Sequence, residues 1–295
     1  MMSPRIQIPI SIGGSRTMMS PKQLLITILV VFSTLSFIKF LLITHPSAGA
    51  SSSAHLHRAE WESGNGTAAR NDGLAAKEFA LLRSVVAARA PCRLLVFGLS
   101  PQLLALAAVN SGPGAATAFV TDSAEDGDAA RRVLAGRVGG SSSAVHRAGY
   151  PDAAGEAWAL LRRARAAGPA CARPTGTVRK SGCRLALTSL PREVLDARWD
   201  VVVIDGPSGA APEEPGRMGA IYTAAALARA AAAAGGGRVV DVAVHDMDRT
   251  VERWYAREYL CEDNLVAAKG RLWHFRVGAG GQRDAFCSTA PVKIL

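Results

Sequence analysis

From residue 74 onward the chain alternates short apolar runs with stretches whose apolar positions recur at helical spacing. "LAAKEFALLRSVVAA" (74–88) predicts an amphipathic helix stopped by Pro91. "CRLLVFGL" (92–99) predicts a buried strand, and "SPQLLALAAVN" (100–110) a helix with Ser100 as N-cap and Pro101 in its first turn. "ATAFVTD" (116–122) is a second strand, and "RWDVVVID" (198–205) another, after a middle rich in Gly, Ser and Arg. A helix over 217–234 ended by Gly235, a strand over 238–246, a helix over 248–260 and a last strand over 270–277 complete the pattern. Strands that are apolar on both faces and alternate with helices indicate a mainly parallel α/β sheet covered on both sides. Ligands of such sheets bind beyond the carboxyl ends of the strands, where the strand order reverses. That singles out Gly98 to Gln102, Asp122, Asp205 to Arg217, and His245 to Arg249.

Ahead of this region, Leu24 to Ile43 is apolar apart from Ser, Thr and Lys39. Such a run, rising about 1.5 Å per residue, spans a bilayer core of roughly 30 Å. Arg5, Arg16 and Lys22 precede it without an acidic residue, which predicts a cytosolic N-terminus. The expected layout is a cytosolic tail (1–23), a transmembrane anchor (24–43), a luminal stem (44–73) and a luminal domain (74–295), a single-pass type II protein. A cleaved signal peptide is the alternative, since Ala48 to Ala50 reads as a small-residue cleavage site; its apolar core would, however, run only roughly 7–15 residues. The stem is small and polar and carries the sequon Asn65-Gly66-Thr67.

The formal charge of +10 favours a polyanionic partner. The anchor and sequon exclude nucleic acid and point to an acidic polysaccharide or a lipid surface. Five cysteines fit an oxidising compartment. Cys171 and Cys183 bracket a Pro/Gly/basic loop, and Cys261 and Cys287 bracket the last strand. The expected pairing is 171–183 and 261–287 with Cys92 buried and free, against the alternative of five reduced thiols. No CxxC or Cys/His cluster suggests zinc.

At the strand ends, the turn through Gly98 offers backbone N–H groups to a nucleotide or carboxylate, or is a tight strand–helix turn and nothing more. Asp122 can accept from ribose hydroxyls or cap a helix. Asp205 can orient a nucleophilic hydroxyl, hold a cation or cap its own turn. His245 and Asp246 follow the next strand, with Asp248 and Arg249 opening a helix.

Taken together, "PCRLLVFGLSPQLLALAAVN", "CRLALTSLP", "WDVVVIDGPSGAAPEEPGRMGAIYTAAALAR", "VHDMDRTVERWYAREYLCEDNLV" and "GRLWHF" make the chain resemble a plant family of Golgi polysaccharide O-methyltransferases and xylan-assembly proteins. Its members include glucuronoxylan 4-O-methyltransferases, arabinogalactan methyltransferases and irregular-xylem proteins. The resemblance implies a class I methyltransferase-like fold, S-adenosylmethionine as donor, and O-methylation of an acidic glycan such as the glucuronate side chains of xylan. A non-catalytic role in xylan assembly is the alternative. The donor site maps onto Phe97, Gly98 and Leu99 with Asp122, and the reaction centre onto the loop from Asp205 to Arg217. Ser100-Pro101 stands where members commonly carry Gly-His or Thr-His, and "FVTDS" where an acidic cluster is common. A sugar hydroxyl is a poor nucleophile, so a base or a divalent metal must assist it. Asp205, His245 and Asp246 are the candidates. Arg217 and Arg249 are candidates for clamping a uronate carboxylate; pairing of Arg217 with Glu213 or Glu214 is the structural alternative.

Overall fold

In the computed structural model, residues 73–136, 142–173, 178–234, 238–278 and 285–287 are described. The expected tail, anchor, sequon and all of the stem except Gly73 lie outside the described residues, as does Gly235. Among the described residues no helix is long and apolar enough to cross a membrane.

The chain runs α1 (Ala76–Ala87), β1 (Arg93–Phe97), α2 (Pro101–Val109), β2 (Ala116–Thr121), α3 (Ala124–Ala135), β3 (Ser142–Arg147), α4 (Ala157–Ala166), β4 (Val201–Ile204), α5 (Met218–Ala234), β5 (Val240–Val244), α6 (Thr250–Tyr259), β6 (Leu265–Lys269) and β7 (Leu272–Val277). Single helical turns at Pro169–Ala172 and Arg192–Leu195 lie between α4 and β4. The seven strands form one sheet in the order β3-β2-β1-β4-β5-β7-β6. The first five strands pair in parallel, and β7 runs antiparallel to both β5 and β6. This is the mostly parallel, methyltransferase-like α/β sheet that the resemblance implies.

Period-two alternation divides the core. Leu95, Phe97, Val202, Ile204, Val242 and Val244 join the cluster containing α4, α5 and α6. Leu94, Val96, Val201, Val203 and Ala243 join the cluster under α1 and α2. Burying one such Val, Leu or Phe side chain contributes about 1.5–3 kcal/mol, so both faces of the central strands favour this register and no other.

The expected helix starts hold. Ser100 Oγ caps α2 by accepting from Leu103 N at 3.1 Å, with Pro101 in the first turn. The middle of the chain is more ordered than its composition suggests. Ser123, not Asp122, caps α3, its Oγ accepting from Asp126 N at 3.1 Å. α4 buries Ala157, Leu160, Leu161 and Ala164 on one stripe. The two unanticipated strands, β3 and β6, are the sheet's edges and are only partly covered, so neither has a continuous apolar run. Disulfides join Cys171 to Cys183 and Cys261 to Cys287, and Cys92 is buried and free, as expected.

Candidate functional site

β1 and β4 are neighbours, yet the chain leaves β1 toward β2 and β3 and leaves β4 toward β5, so a crevice opens beyond their carboxyl ends. The backbones close on one another there. Gly98 has φ +114°, and a Cβ on it would lie 2.9 Å from the Asp205 carbonyl carbon. Glycine at 98 is thus required by strand packing. Asp205 N donates to Phe97 O at 2.8 Å and His245 N to Ile204 O at 2.9 Å, extending the ladder one residue past β4 and β5. The two side chains are thereby set side by side.

His245 is completely buried. Its Nδ1 lies 2.7 Å from Asp205 Oδ1 and its Nε2 lies 3.3 Å from Glu78 Oε2. Burial pushes the imidazole pKa down, but the hydrogen bond and charge of Asp205, then the charge of Asp246, outweigh it and hold it above 6.5. Both ring nitrogens face carboxylates, so the doubly protonated ring can donate twice. Glu78, on the buried face of α1, also accepts from Ala75 N and Arg271 N, each at 2.7 Å. Burial raises its pKa, while those two backbone donors and His245 bring it below 4.5. Room for Glu78 comes from Gly270, at φ +56°, where a Cβ would overlap Glu78 Oε1.

Asp246 sits behind this row, 1% exposed, with a left-handed φ of 59°. A non-glycine residue in that region carries strain of about 1–3 kcal/mol and marks a site held by its surroundings. Three guanidiniums hold it: Arg217 Nη2 at 2.9 Å, Arg249 Nη2 at 2.9 Å and Arg271 Nη1 at 2.6 Å. Arg217 is itself 3% exposed. It donates to the carbonyls of Pro207 (2.8 Å), His245 (3.1 Å) and Asp205 (3.2 Å). The expectation that Arg217 clamps a substrate does not fit this placement, nor does pairing with Glu213 or Glu214. Arg217 is an internal brace whose donors are all directed inward. Glu214 instead accepts from Ala210 N at 3.0 Å. Arg249, 25% exposed, donates to Ser208 O at 2.7 Å and stands at the rim.

The structure therefore brings Asp205, His245 and Asp246 together and ranks them by access. Asp205 faces outward with its side chain 10% exposed, and the other two lie beneath it. Their ligand-type atoms lie within 4.8 Å of one another, close enough to share a cation. The set is a poor fit for a dication, because three guanidiniums already neutralise Asp246 and both His245 nitrogens are engaged.

The expected donor residues divide similarly. Phe97 is 0% exposed with its ring in the core, so only its backbone borders the crevice. Gly98 and Leu99 form the turn into α2. Asp122 follows β2, half-buried, and its carboxylate accepts no hydrogen bond from the described residues; Arg147 Nε donates to its carbonyl instead, at 3.2 Å. Tyr150, in the turn after β3, has a buried hydroxyl without a partner among the described residues. Burial, then the charge of Asp122, drives the phenol pKa upward, so the hydroxyl stays protonated. A buried hydroxyl without a partner and a half-exposed carboxylate, beyond adjacent strands, suit a ligand that carries hydroxyls. Sequence reasoning missed Glu78, Arg271 and Tyr150. Only Glu78 left a signal, an acid aligned with Leu82, Val85 and Val86 on the buried face of α1.

The sequence model of the IRX15/IRX15L/GXM family matches residues 77–275, which takes in Glu78, Asp205, His245 and Arg271 alike. The chain belongs to that family. Among its Arabidopsis thaliana members, arabinogalactan O-methyltransferase 2 is 38% identical over 204 residues, 68% of this chain and 66% of that protein. Glucuronoxylan 4-O-methyltransferase 1 is 35% identical over 199 residues, 68% and 66% respectively. Protein IRREGULAR XYLEM 15 is 38% identical over 186 residues, 63% and 54%. The chain thus spans just under two thirds of the length of these methyltransferases. Among solved structures, a methyltransferase-like protein from Silicibacter pomeroyi superposes with a TM-score of 0.39 at 18% identity, covering 69% of this chain and 86% of its own. A putative methyltransferase complexed with SAH gives 0.34 at 11% identity, covering 68% and 49%.

Proposed function

We propose that this chain transfers a methyl group from S-adenosylmethionine to a hydroxyl of an acidic cell-wall polysaccharide, with 4-O-methylation of xylan glucuronate as the first reading. The position of Asp205 carries the proposal: it is the one carboxylate of the buried array that reaches the crevice. The donor supplies an electrophilic methyl on a sulfonium. Asp122 and the Tyr150 hydroxyl would hold its ribose, and the N-terminal turn of α2 its carboxylate. Asp205 takes the acceptor hydroxyl's proton as the oxygen–methyl bond forms and the sulfur–methyl bond breaks. His245 and Glu78 fix the Asp205 carboxylate from behind and act as positioning residues.

A second reading, a non-catalytic factor in xylan assembly, is favoured by Ser100-Pro101 at the expected donor turn and by the 38% identity to IRREGULAR XYLEM 15. Asp205→Asn separates the two. It keeps an acceptor for His245 Nδ1, so methyl transfer should vanish while donor binding and melting temperature stay near wild type. Absence of donor binding by the wild-type protein would instead select the assembly reading. The expected setting is the Golgi lumen behind a single-pass type II anchor. A C-terminal tag digested by protease in intact vesicles would refute that topology.

A further inference from the structure

Beside the Asp205 crevice lies an open-sided groove of about 510 Å³, within the size range of ligand sites. One wall is the turn after β3, Gly149, Tyr150 and Pro151; the other carries Arg184, Thr188 and Ser189. Both walls are built. The second is tied down by the Cys171–Cys183 disulfide and by Leu187 N, which donates to Thr223 Oγ1 of α5 at 3.0 Å. Cys183, Leu185, Ala186 and Leu187 of this wall are buried, leaving Arg184, Thr188 and Ser189 exposed. Arg184 bridges the walls, its Nε and Nη2 donating to Asp152 Oδ1 at 3.0 and 2.6 Å while its side chain stays 59% exposed.

The turn wall is joined in turn to the loop that follows Asp205. Ala153 bridges to Pro215, Ala154 N donates to Glu214 O at 2.8 Å and Gly216 N to Asp152 O at 3.2 Å. The segment that continues the groove's first wall is therefore hydrogen-bonded to the loop that carries on from the outward carboxylate. Tyr150 stands between the two ligand regions: its hydroxyl is buried where the charges of Asp122 and Arg217 reach it, and the residue lines the groove.

The lining selects an occupant. Arg184 is its one charged residue, and beside it lie small hydroxyls, exposed glycine backbone, a single aromatic ring and a few small apolar groups such as Pro151 and Ala186. An amphipathic helix or acyl chain would need a long apolar stripe, whereas Cys183, Ala186 and Leu187 are themselves buried and alternate with exposed Arg184, Thr188 and Ser189. Pyranose rings instead place CH faces on an aromatic ring and edge hydroxyls against Ser and Thr, and a uronate carboxylate matches a guanidinium. Open sides let a chain pass through.

We propose that this groove is the acceptor subsite, binding a run of pyranose rings with Arg184 selecting chains that carry carboxylates. The proposal rests on the polysaccharide reading above and names the surface that performs it. It is tested on the purified wild-type protein and two variants, Arg184→Ala and Thr188→Trp, whose side chains lie at the exposed rim. Binding is titrated with a glucuronate-bearing xylo-oligosaccharide, its carboxyl-reduced form and S-adenosylhomocysteine, with thermal melting alongside.

Arg184→Ala should weaken the acidic oligosaccharide at least tenfold and the reduced form less than threefold. Thr188→Trp should abolish binding of both. Neither variant should change S-adenosylhomocysteine affinity by more than twofold. Loss of S-adenosylhomocysteine affinity with oligosaccharide binding intact would give the groove to the donor and overturn the proposal. So would a wild-type protein that binds no oligosaccharide, or oligosaccharide affinities indifferent to both variants. A wild-type protein that binds the acidic chain with these sensitivities but transfers no methyl supports the groove and refutes the enzyme. If a variant fails to fold, Ser189→Asp at the same rim carries the test, with selective weakening of the acidic chain expected and unchanged affinity overturning the proposal.

Discussion

Replacing Arg217 by alanine should cost the protein its stability before it costs a substrate contact. The guanidinium is 3% exposed, hydrogen-bonds three backbone carbonyls, and pairs with Asp246 at 2.9 Å and more distantly with Asp205 at 3.5 Å. Asp246, 1% exposed, would retain Arg249 and Arg271, so its charge would be only partly uncompensated. The carbonyls of Pro207, His245 and Asp205 would each lose a charged donor. Removing one partner of a buried ion pair costs about 3–5 kcal/mol. For a domain of this size about 1 kcal/mol moves the melting temperature by roughly 2–4 °C, so a fall of about 6–20 °C is expected. Arg217→Lys should recover only part of it, because an ammonium cannot reproduce the planar fork. Differential scanning calorimetry beside acceptor titration decides the matter. A melting temperature within about 2 °C of wild type, with loss confined to uronate-bearing acceptors, would refute the brace and restore the substrate clamp.

Three further outcomes follow from the same geometry. His245 titrates above its ordinary value in the folded protein, so its contribution to stability is complete below pH 6.5 and fades as pH rises through the raised folded pKa. Glu78 behaves oppositely, contributing fully above pH 4.5 and losing that contribution as pH falls through its lowered folded pKa. Urea unfolding across pH should therefore show this array most stabilising between about 4.5 and 6.5, and His245→Gln should flatten the alkaline side; an unchanged alkaline slope would contradict the pairing. Gly270→Ala should displace Glu78 and lower both melting temperature and methyl transfer, although residue 270 lies outside the crevice. Removing Cys261–Cys287, which closes a separation of 26 residues, should cost about 3.5 kcal/mol by loop-closure entropy, against about 2.8 kcal/mol for the separation of 12 at Cys171–Cys183. Denaturant midpoints of the paired serine variants test that order.

The central sheet was legible because β1, β4 and β5 are buried on both faces and are written as nearly unbroken apolar runs. The helix starts were legible where a cap and a proline coincide, as at Ser100-Pro101. β3 and β6 were not, because an edge strand packs fewer side chains and leaves a mixed pattern. At the site, a position at a strand end identified Asp205, His245 and Asp246 together, since the parallel ladder fixes them as neighbours. It could not rank them by access, because depth depends on arginines contributed by three separate segments. Arg217 was misread for that reason: a cation in a turn-rich loop signals exposure, whereas the loop folds it inward. Tyr150 follows an edge strand that left no pattern to place it by.

Glu78 couples the beginning of the domain to its end. Its carboxylate meets His245 across 167 residues and the backbone of Arg271 across 193. Contacts of such separation form late, after the loop-closure entropy of the intervening chain has been overcome. During synthesis α1 emerges carrying an acid on its apolar face, and beyond its local bond to Ala75 N that acid has no long-range partner until His245 and then Arg271 have left the ribosome. A chain terminated before residue 271 would retain every candidate residue of the crevice itself, Asp205 and His245 included, yet lack the backbone donor that anchors Glu78 behind them. The support of the candidate site thus depends on synthesis past residue 271, and a product truncated before it would be defective in that support while keeping Asp205 and His245.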